Sequence, residues 1–296
     1  PWFELVAIAF GIGMGLTLDE FALWLNLQDV YWSQKGRQSI DAVVITTALL
    51  VIALPVSAAE YGAPEITPKT TMKQLRENPS IKGSGLYTYV YIWERDCDLL
   101  RHSKDNDTME QVIGTESVNS CVAGMNYLIE TYNAGTQITY KLFSPEEIAQ
   151  DASRDRAELY YFPAEQPGAK YAVVLSGNAL FYSGEMRGGV STAWELHQQG
   201  YAVFALRYRI GLDATDNAPL EDLGRAIQFI TANAQQFGVQ TEDYALVGYS
   251  SGGQIAGIFG GKELGYPNYG VPKPGALLLA YPINNFYETK PLYHVL

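Results

Sequence analysis

Short apolar runs alternate with amphipathic stretches over the second half of this chain. Four of the runs are near-continuous in apolar residues, which is typical of strands covered on both faces. They are residues 171–175, 201–206, 243–247 and 276–280. Residues 191–199 can form a helix, and apolar residues at helical spacing from Leu220 to Phe237, with Gly238 as a C-cap, predict another. Strands that alternate with helices predict an α/β fold with a mostly parallel sheet flanked by helices.

Two earlier runs carry more polar residues. Residues 137–143 and 158–162 are therefore predicted to be antiparallel strands at the sheet's edge, with one face in water. Residues 136–296 are assigned to this core. The preceding residues 59–135 are polar, rich in tyrosine and weakly periodic, which suggests either an N-terminal cap over the catalytic edge or a partly ordered leader.

A Gly-Tyr-Ser-Ser-Gly sequence spans residues 248–252, between the strand at 243–247 and a run at 253–259 that can form a helix. A G-x-S-x-G pattern at such a junction predicts a nucleophile elbow, in which glycines at both flanks permit a tight turn. Ser250 would then stand at a helix N-terminus, where free N–H groups favour a developing oxyanion. Ser250 is therefore the candidate nucleophile, and the alternative is a Gly/Ser-rich loop.

Five stretches carry a resemblance to a known family. They are residues 172–178, 200–209, 218–227, 248–253 and 279–282. Together they resemble the α/β hydrolases of the carboxylesterase and acetyl-xylan or feruloyl esterase type, over residues 159–282. The resemblance implies an α/β-hydrolase fold and a serine esterase that acts on a small-molecule or carbohydrate-linked ester, with no cofactor and no metal.

The resemblance also implies an oxyanion hole with two donors. One is the backbone N–H of Ser251, and the other belongs to a glycine-rich loop that here begins Gly177-Asn178. Gly177 matches the pattern, whereas Asn178 stands where another glycine is usual. Asn178 is either a donor, through its backbone or its amide, or simply a residue that tolerates a left-handed turn.

The acid and base of a catalytic triad are not assigned. The family places them after the elbow, beyond further strands, and the residues that follow Ser250 are too few to hold them. The core is therefore expected to lack its last strands, and the chain as given to be weak or inactive on esters. His294 follows Ser250 but comes too early. His197 is expected on a helix surface, and His102 is expected to be solvated in a polar stretch.

The N-terminal segment has a different pattern. Residues 1–41 contain a glycine-punctuated apolar run and resemble part of a bacterial integral membrane protein, which suggests a junction with a foreign segment and an association with membranes. Residues 42–58 follow Lys35 and Arg37 and end in Val-Ser-Ala, which favours a signal sequence and a secreted or cell-envelope protein. The alternative is a membrane anchor.

Composition narrows the function further. The net charge is −12, which argues against nucleic acid and anionic membrane surfaces as partners. The sequence has no phosphate loop and no His/Cys cluster with metal spacing. Cys97 and Cys121 can pair in an exported protein or remain free thiols. Two other functions stay open: a serine peptidase of the prolyl-oligopeptidase type, although residues 60–135 are too few for its propeller, and an inactive binding or membrane-associated protein.

Overall fold

The computed structural model describes residues 66–88, 104–177 and 185–282. They form a six-stranded sheet with helices on both faces. The strands are β1 (Thr139–Lys141), β2 (Glu158–Phe162), β3 (Tyr171–Leu175), β4 (Ala202–Arg207), β5 (Ala245–Tyr249) and β6 (Ala276–Ala280). The α-helices are α1 (Met72–Glu77), α2 (Pro79–Ser84), α3 (Met109–Ile113), α4 (Val118–Asn133), α5 (Pro145–Gln150), α6 (Ser191–Gln198), α7 (Ala218–Ala232), α8 (Ala234–Phe237) and α9 (Ser251–Gly260).

The sheet has the strand order β1-β2-β4-β3-β5-β6. β1 and β2 are antiparallel to each other, and β2 is antiparallel to β4. β4, β3, β5 and β6 run parallel to one another, and α6 forms the crossover from β3 to β4. This mixed sheet between two helix layers confirms the predicted fold class.

Side chains alternate between the two faces of the strands, so the sheet separates two cores. Val173, Phe204 and Leu246 pack against α7 and α9 on one face. Val174 and Val203 belong to the core on the opposite face, which includes buried residues of α1, α3, α4 and α6. This division explains why the central strands have near-continuous apolar sequences: neither of their faces meets water.

Two sheet predictions were wrong in their burial. β2 was expected at a half-wet edge, yet all five of its residues are buried, because β1 lies outside it and helices cover both of its faces. β6 was expected to be a buried strand, yet Leu278 is 49% exposed, Leu277 is 42% exposed and Leu279 is 38% exposed. The described chain pairs β6 with β5 alone, so β6 is the edge strand.

The helices that precede the sheet have clear local start signals. Thr71, Thr108 and Ser144 each form a capping box at the start of α1, α3 and α5, in which two N–H groups without helical acceptors are satisfied reciprocally. The described helices of segment 59–135 pack on one face of the sheet. A cap over the catalytic edge and a partly ordered leader were the two expectations for this segment. The domain boundaries themselves stay predictions.

The helical pattern predicted from Leu220 to Phe237 is divided between α7 and α8, because the chain leaves the helix at Asn233. Gly238 caps α8 in the left-handed conformation, with φ 63°. The predicted membrane-like segment and signal sequence, residues 1–58, lie outside the described residues. Within the described ranges, no helix has the length and apolar character needed to cross a bilayer.

Candidate active site

Ser250 occupies the turn between β5 and α9. Its backbone has φ 50° and ψ −116°, a sparsely populated conformation for a residue with a side chain. The Ser250 N–H donates to the carbonyl of Ala280 at 3.0 Å, and the Ser250 carbonyl accepts from the N–H of Gln254 at 2.9 Å. The strained turn is therefore held by the neighbouring strand on one side and by its own helix on the other.

The glycines that flank Ser250 are required by close backbone contacts. A Cβ on Gly248 would lie 2.4 Å from the carbonyl oxygen of Gly252. A Cβ on Gly252 would lie 2.4 Å from the carbonyl oxygen of Leu175, at the end of β3. Real side chains do not reach such distances, so only glycine lets the elbow close against itself and against β3.

The chain leaving β3 also meets the elbow. A Cβ on Gly177 would lie 2.6 Å from the carbonyl oxygen of Tyr249 and 2.8 Å from the Cβ of Ser250. Gly177 is thus in direct contact with the candidate nucleophile, as the predicted oxyanion loop requires. Ser251 begins α9, and the first N–H groups of a helix have no intrahelical acceptor. Asn178 lies outside the described residues.

Charged groups that the sequence analysis missed are buried at the carboxyl ends of these strands. Arg207 at the end of β4 pairs with Glu158 at 3.4 Å, and both side chains are 9% exposed. Burial raises the pKa of the nearby Glu185 carboxyl, against the opposing effects of Arg156 and Arg207. The sequence signal available was the pair Arg207 and Arg209, at the end of an apolar strand and two residues beyond it, because buried charges there need partners.

His197 was predicted at a helix surface, and this was wrong. Its side chain is buried, with its ring centroid 4.4 Å from that of Tyr127 and 5.5 Å from that of Trp194. Neither ring nitrogen has a hydrogen-bond partner among the described residues, and burial lowers the pKa of the imidazole. His197 therefore makes no hydrogen bond to Ser250 and does not serve as its base.

Two further histidines and the two cysteines were also candidate functional residues. His102 and His294 lie outside the described residues. Cys121 is buried and has no disulfide partner among the described residues; Cys97 lies outside them, so the pairing of the two stays a prediction. The described ranges contain no group of three or more His, Cys, Asp or Glu residues that would hold a metal ion.

Sequence comparison finds a family match over part of the chain. Residues 158–264 match the BD-FAE family model, an esterase-type α/β hydrolase, which confirms the esterase resemblance. Over 126 residues the chain is 26% identical to endo-1,4-beta-xylanase B of Butyrivibrio fibrisolvens. That alignment covers 40% of this chain and 18% of the xylanase, so the chain spans less than a fifth of the relative.

Two solved structures are also similar. A sugar hydrolase from Lactococcus lactis is 22% identical with a TM-score of 0.40, over 45% of this chain and 52% of that protein. The acetyl ester-xyloside bifunctional hydrolase of Caldicellulosiruptor lactoaceticus is 18% identical with a TM-score of 0.43, over 51% of this chain and 58% of that protein. The chain spans little more than half of either. The sheet order and the match over residues 158–264 define an α/β-hydrolase core that is similar to those of esterases.

Proposed function

We propose that this chain is a serine esterase in which Ser250 attacks the acyl carbon of a carboxylic ester. The Ser250 Oγ–acyl bond forms, the carbonyl oxygen becomes an oxyanion, and the alcohol leaves as the carbonyl is restored. Water then cleaves the acyl-enzyme and releases the acid. The base that takes the Ser250 proton and its acidic partner are not among the assigned residues.

The observation that carries this proposal is the backbone of Ser250. A serine at φ 50° and ψ −116° between a central strand and a helix N-terminus is conformationally costly, by roughly 1–3 kcal/mol. Such strain persists where surrounding structure enforces it, and here the backbone around Ser250 packs so closely that a Cβ on Gly177, Gly248 or Gly252 would clash. A Gly/Ser-rich surface loop would need none of these contacts.

The two oxyanion donors proposed for this reaction are the Ser251 N–H and the loop that begins at Gly177. Both adjoin the nucleophile, one in the next peptide of the chain and the other in van der Waals contact with it. Donors fixed before the reaction stabilise the oxyanion without reorganisation, which is why they lower the barrier.

A carbohydrate-linked ester is the proposed substrate class. The support is the match to a β-xylanase of Butyrivibrio fibrisolvens, a protein named for action on a polysaccharide. The acidic net charge of −12 fits a neutral substrate better than an anionic one. Export through residues 42–58 remains part of the proposal.

Substitution of the two adjacent serines tests the nucleophile. We expect Ser250→Ala to abolish hydrolysis of acetylated xylo-oligosaccharides and of a nitrophenyl ester, and to abolish labelling by a fluorophosphonate. The matched control is Ser251→Ala, because the Ser251 hydroxyl is buried and lacks a hydrogen-bond partner in the described chain, and only its N–H is proposed to act.

In a protein that carries the triad acid and base, loss of the nucleophile should lower kcat by roughly 10⁴–10⁶-fold, whereas Ser251→Ala should remain within about tenfold of the parent. Mass spectrometry of the labelled protein identifies the modified residue. Hydrolysis that continues in Ser250→Ala, or a probe attached to another residue, would exclude Ser250 as the nucleophile.

A further inference from the structure

The peptide that joins Ser176 to Gly177 is held at both of its ends. A Cβ on Gly252 would lie 2.6 Å from the Ser176 carbonyl oxygen, and one on Gly177 would touch Ser250. The Ser176 carbonyl also accepts a hydrogen bond from the hydroxyl of Tyr208, at 2.5 Å. The elbow therefore packs on this peptide, and the tyrosine holds its carbonyl oxygen.

The orientation of this peptide decides where the Gly177 N–H points. A peptide unit is planar and trans, so its N–H and C=O point in opposite directions. A hydrogen bond that fixes the Ser176 carbonyl therefore also fixes the Gly177 N–H and the start of the loop behind it. Gly177 cannot hold this orientation through its own side chain, and glycine backbones are intrinsically mobile.

Tyr208 is itself fixed from two sides. The Arg156 Nε donates to the Tyr208 carbonyl at 2.7 Å. The next residue, Arg209, donates its backbone N–H to the Asp222 carboxylate at 2.8 Å, and its guanidinium pairs with the same carboxylate. Tyr208 is only 4% exposed, so water does not compete for its hydroxyl. The buried charges thus hold the tyrosine in place.

We propose that Tyr208 is a positioning residue for the oxyanion hole: its hydroxyl orients the Ser176–Gly177 peptide beside Ser250. This inference rests on the proposed esterase function. A misdirected N–H donor reduces the stabilisation of the transition state more than that of the bound ester, because the full oxyanion exists only in the transition state. Loss of the hydroxyl should therefore lower kcat and leave KM nearly unchanged.

The test compares Tyr208→Phe with Tyr244→Phe. Tyr244 is also buried and donates its hydroxyl to a backbone carbonyl, that of Pro272, at 2.8 Å, but it precedes β5 and so lies at the end of that strand opposite to Ser250. Both variants lose one buried hydrogen bond to a carbonyl, so both should lower the thermal midpoint similarly. We expect only Tyr208→Phe to lower kcat, by about tenfold, with KM within about twofold.

Amide hydrogen exchange at Gly177 gives a second measurement that does not depend on turnover. Exchange should be faster in Tyr208→Phe than in the parent chain and unchanged in Tyr244→Phe. Equal kcat values in parent and Tyr208→Phe, or equal exchange at Gly177, would overturn the positioning role while an inactive Ser250→Ala leaves the esterase proposal standing. Hydrolysis that survives in Ser250→Ala overturns both, because the donor then has no oxyanion at this site.

Discussion

Gly177 is one of three glycines at the site where an added Cβ would clash with backbone. In Gly177→Ala the new Cβ would meet the backbone carbonyl of Tyr249, which cannot rotate away. We expect a loss of about 1–3 kcal/mol in the free energy of unfolding and at least a 100-fold loss in kcat, since the elbow and the donor loop must separate. Chemical denaturation and ester hydrolysis measure the two effects.

Gly188→Ala is the matched control for this substitution. Gly188 lies near the same strand end, but the nearest atom to a Cβ there is the Cβ of Ser176, at an ordinary contact distance of 3.7 Å. Its stability and activity should stay close to those of the parent chain. If Gly177→Ala behaved like Gly188→Ala, the contact between loop and elbow would not matter for catalysis.

The backbone geometry of single residues was predictable where a local pattern imposes it. The elbow glycines and Ser250 follow a local pattern, because a tight turn between strand and helix admits few residue types. The contact from Tyr208 to Ser176 was missed because it joins residues 32 positions apart through one hydroxyl. His197 was misplaced because the rings that bury it belong partly to α4 and β2, which periodicity within α6 does not reveal.

Among the described strands, β6 is the one with large exposed apolar side chains, those of Leu277, Leu278 and Leu279. Leu277 and Leu279 approach Gly260 and Gly257 of α9, so Leu278 lies on the other face. An exposed apolar edge strand pairs readily with another chain. We expect Leu278→Lys to reduce concentration-dependent self-association, measured by sedimentation velocity, without lowering the thermal midpoint.

Leu212→Lys provides the comparison for this strand. Leu212 is 57% exposed but lies in a short 3₁₀ turn, Gly211–Ala214, away from any strand edge. It removes as much exposed apolar surface and should leave self-association unchanged. Equal effects of the two substitutions would show that general hydrophobicity, rather than the edge of β6, causes association.

The strands themselves were predicted closely, whereas their neighbours in the sheet were not. β2, β3 and β6 have the predicted limits, because an apolar run bounded by polar or turn residues is a local signal. The burial of a strand depends on which strands lie beside it, and the order of strands in the sheet is not encoded in any local sequence pattern. β2, expected at a half-wet edge, is therefore enclosed by β1 and helices, whereas β6, expected to be buried, is exposed at the edge of the described sheet.

For the whole molecule, we expect His197 to make the free energy of unfolding depend on pH. The unfolded imidazole has a pKa of about 6.5, and burial lowers the folded value. Above about pH 6.5 both states are neutral; as the pH falls below that value the unfolded state binds the proton first, so the free energy of unfolding decreases. We expect His197→Phe, which keeps a ring among Tyr127 and Trp194, to reduce this acid destabilisation.

Thermal unfolding at about pH 7.5 and about pH 5.5 checks this expectation. The midpoint should fall by several degrees less in His197→Phe than in the parent chain. Glu185 has the opposite effect on the pH dependence, because a raised carboxyl pKa lowers the free energy of unfolding as the pH rises. Glu185 is present in both proteins, so its effect cancels in the comparison. Parallel pH profiles would rule out His197 as the source.

The Cys121 side chain lies inside the helical layer, on α4, and burial raises the pKa of its thiol to about 12. The thiolate is the form that attacks alkylating reagents, so Cys121, where it is not paired with Cys97, does not react while α4 stays packed on the sheet. Each opening of that layer exposes it to reagent. The alkylation rate at Cys121, followed by peptide mass, therefore reports the rate at which the helices before the sheet open, and this measurement needs no engineered label.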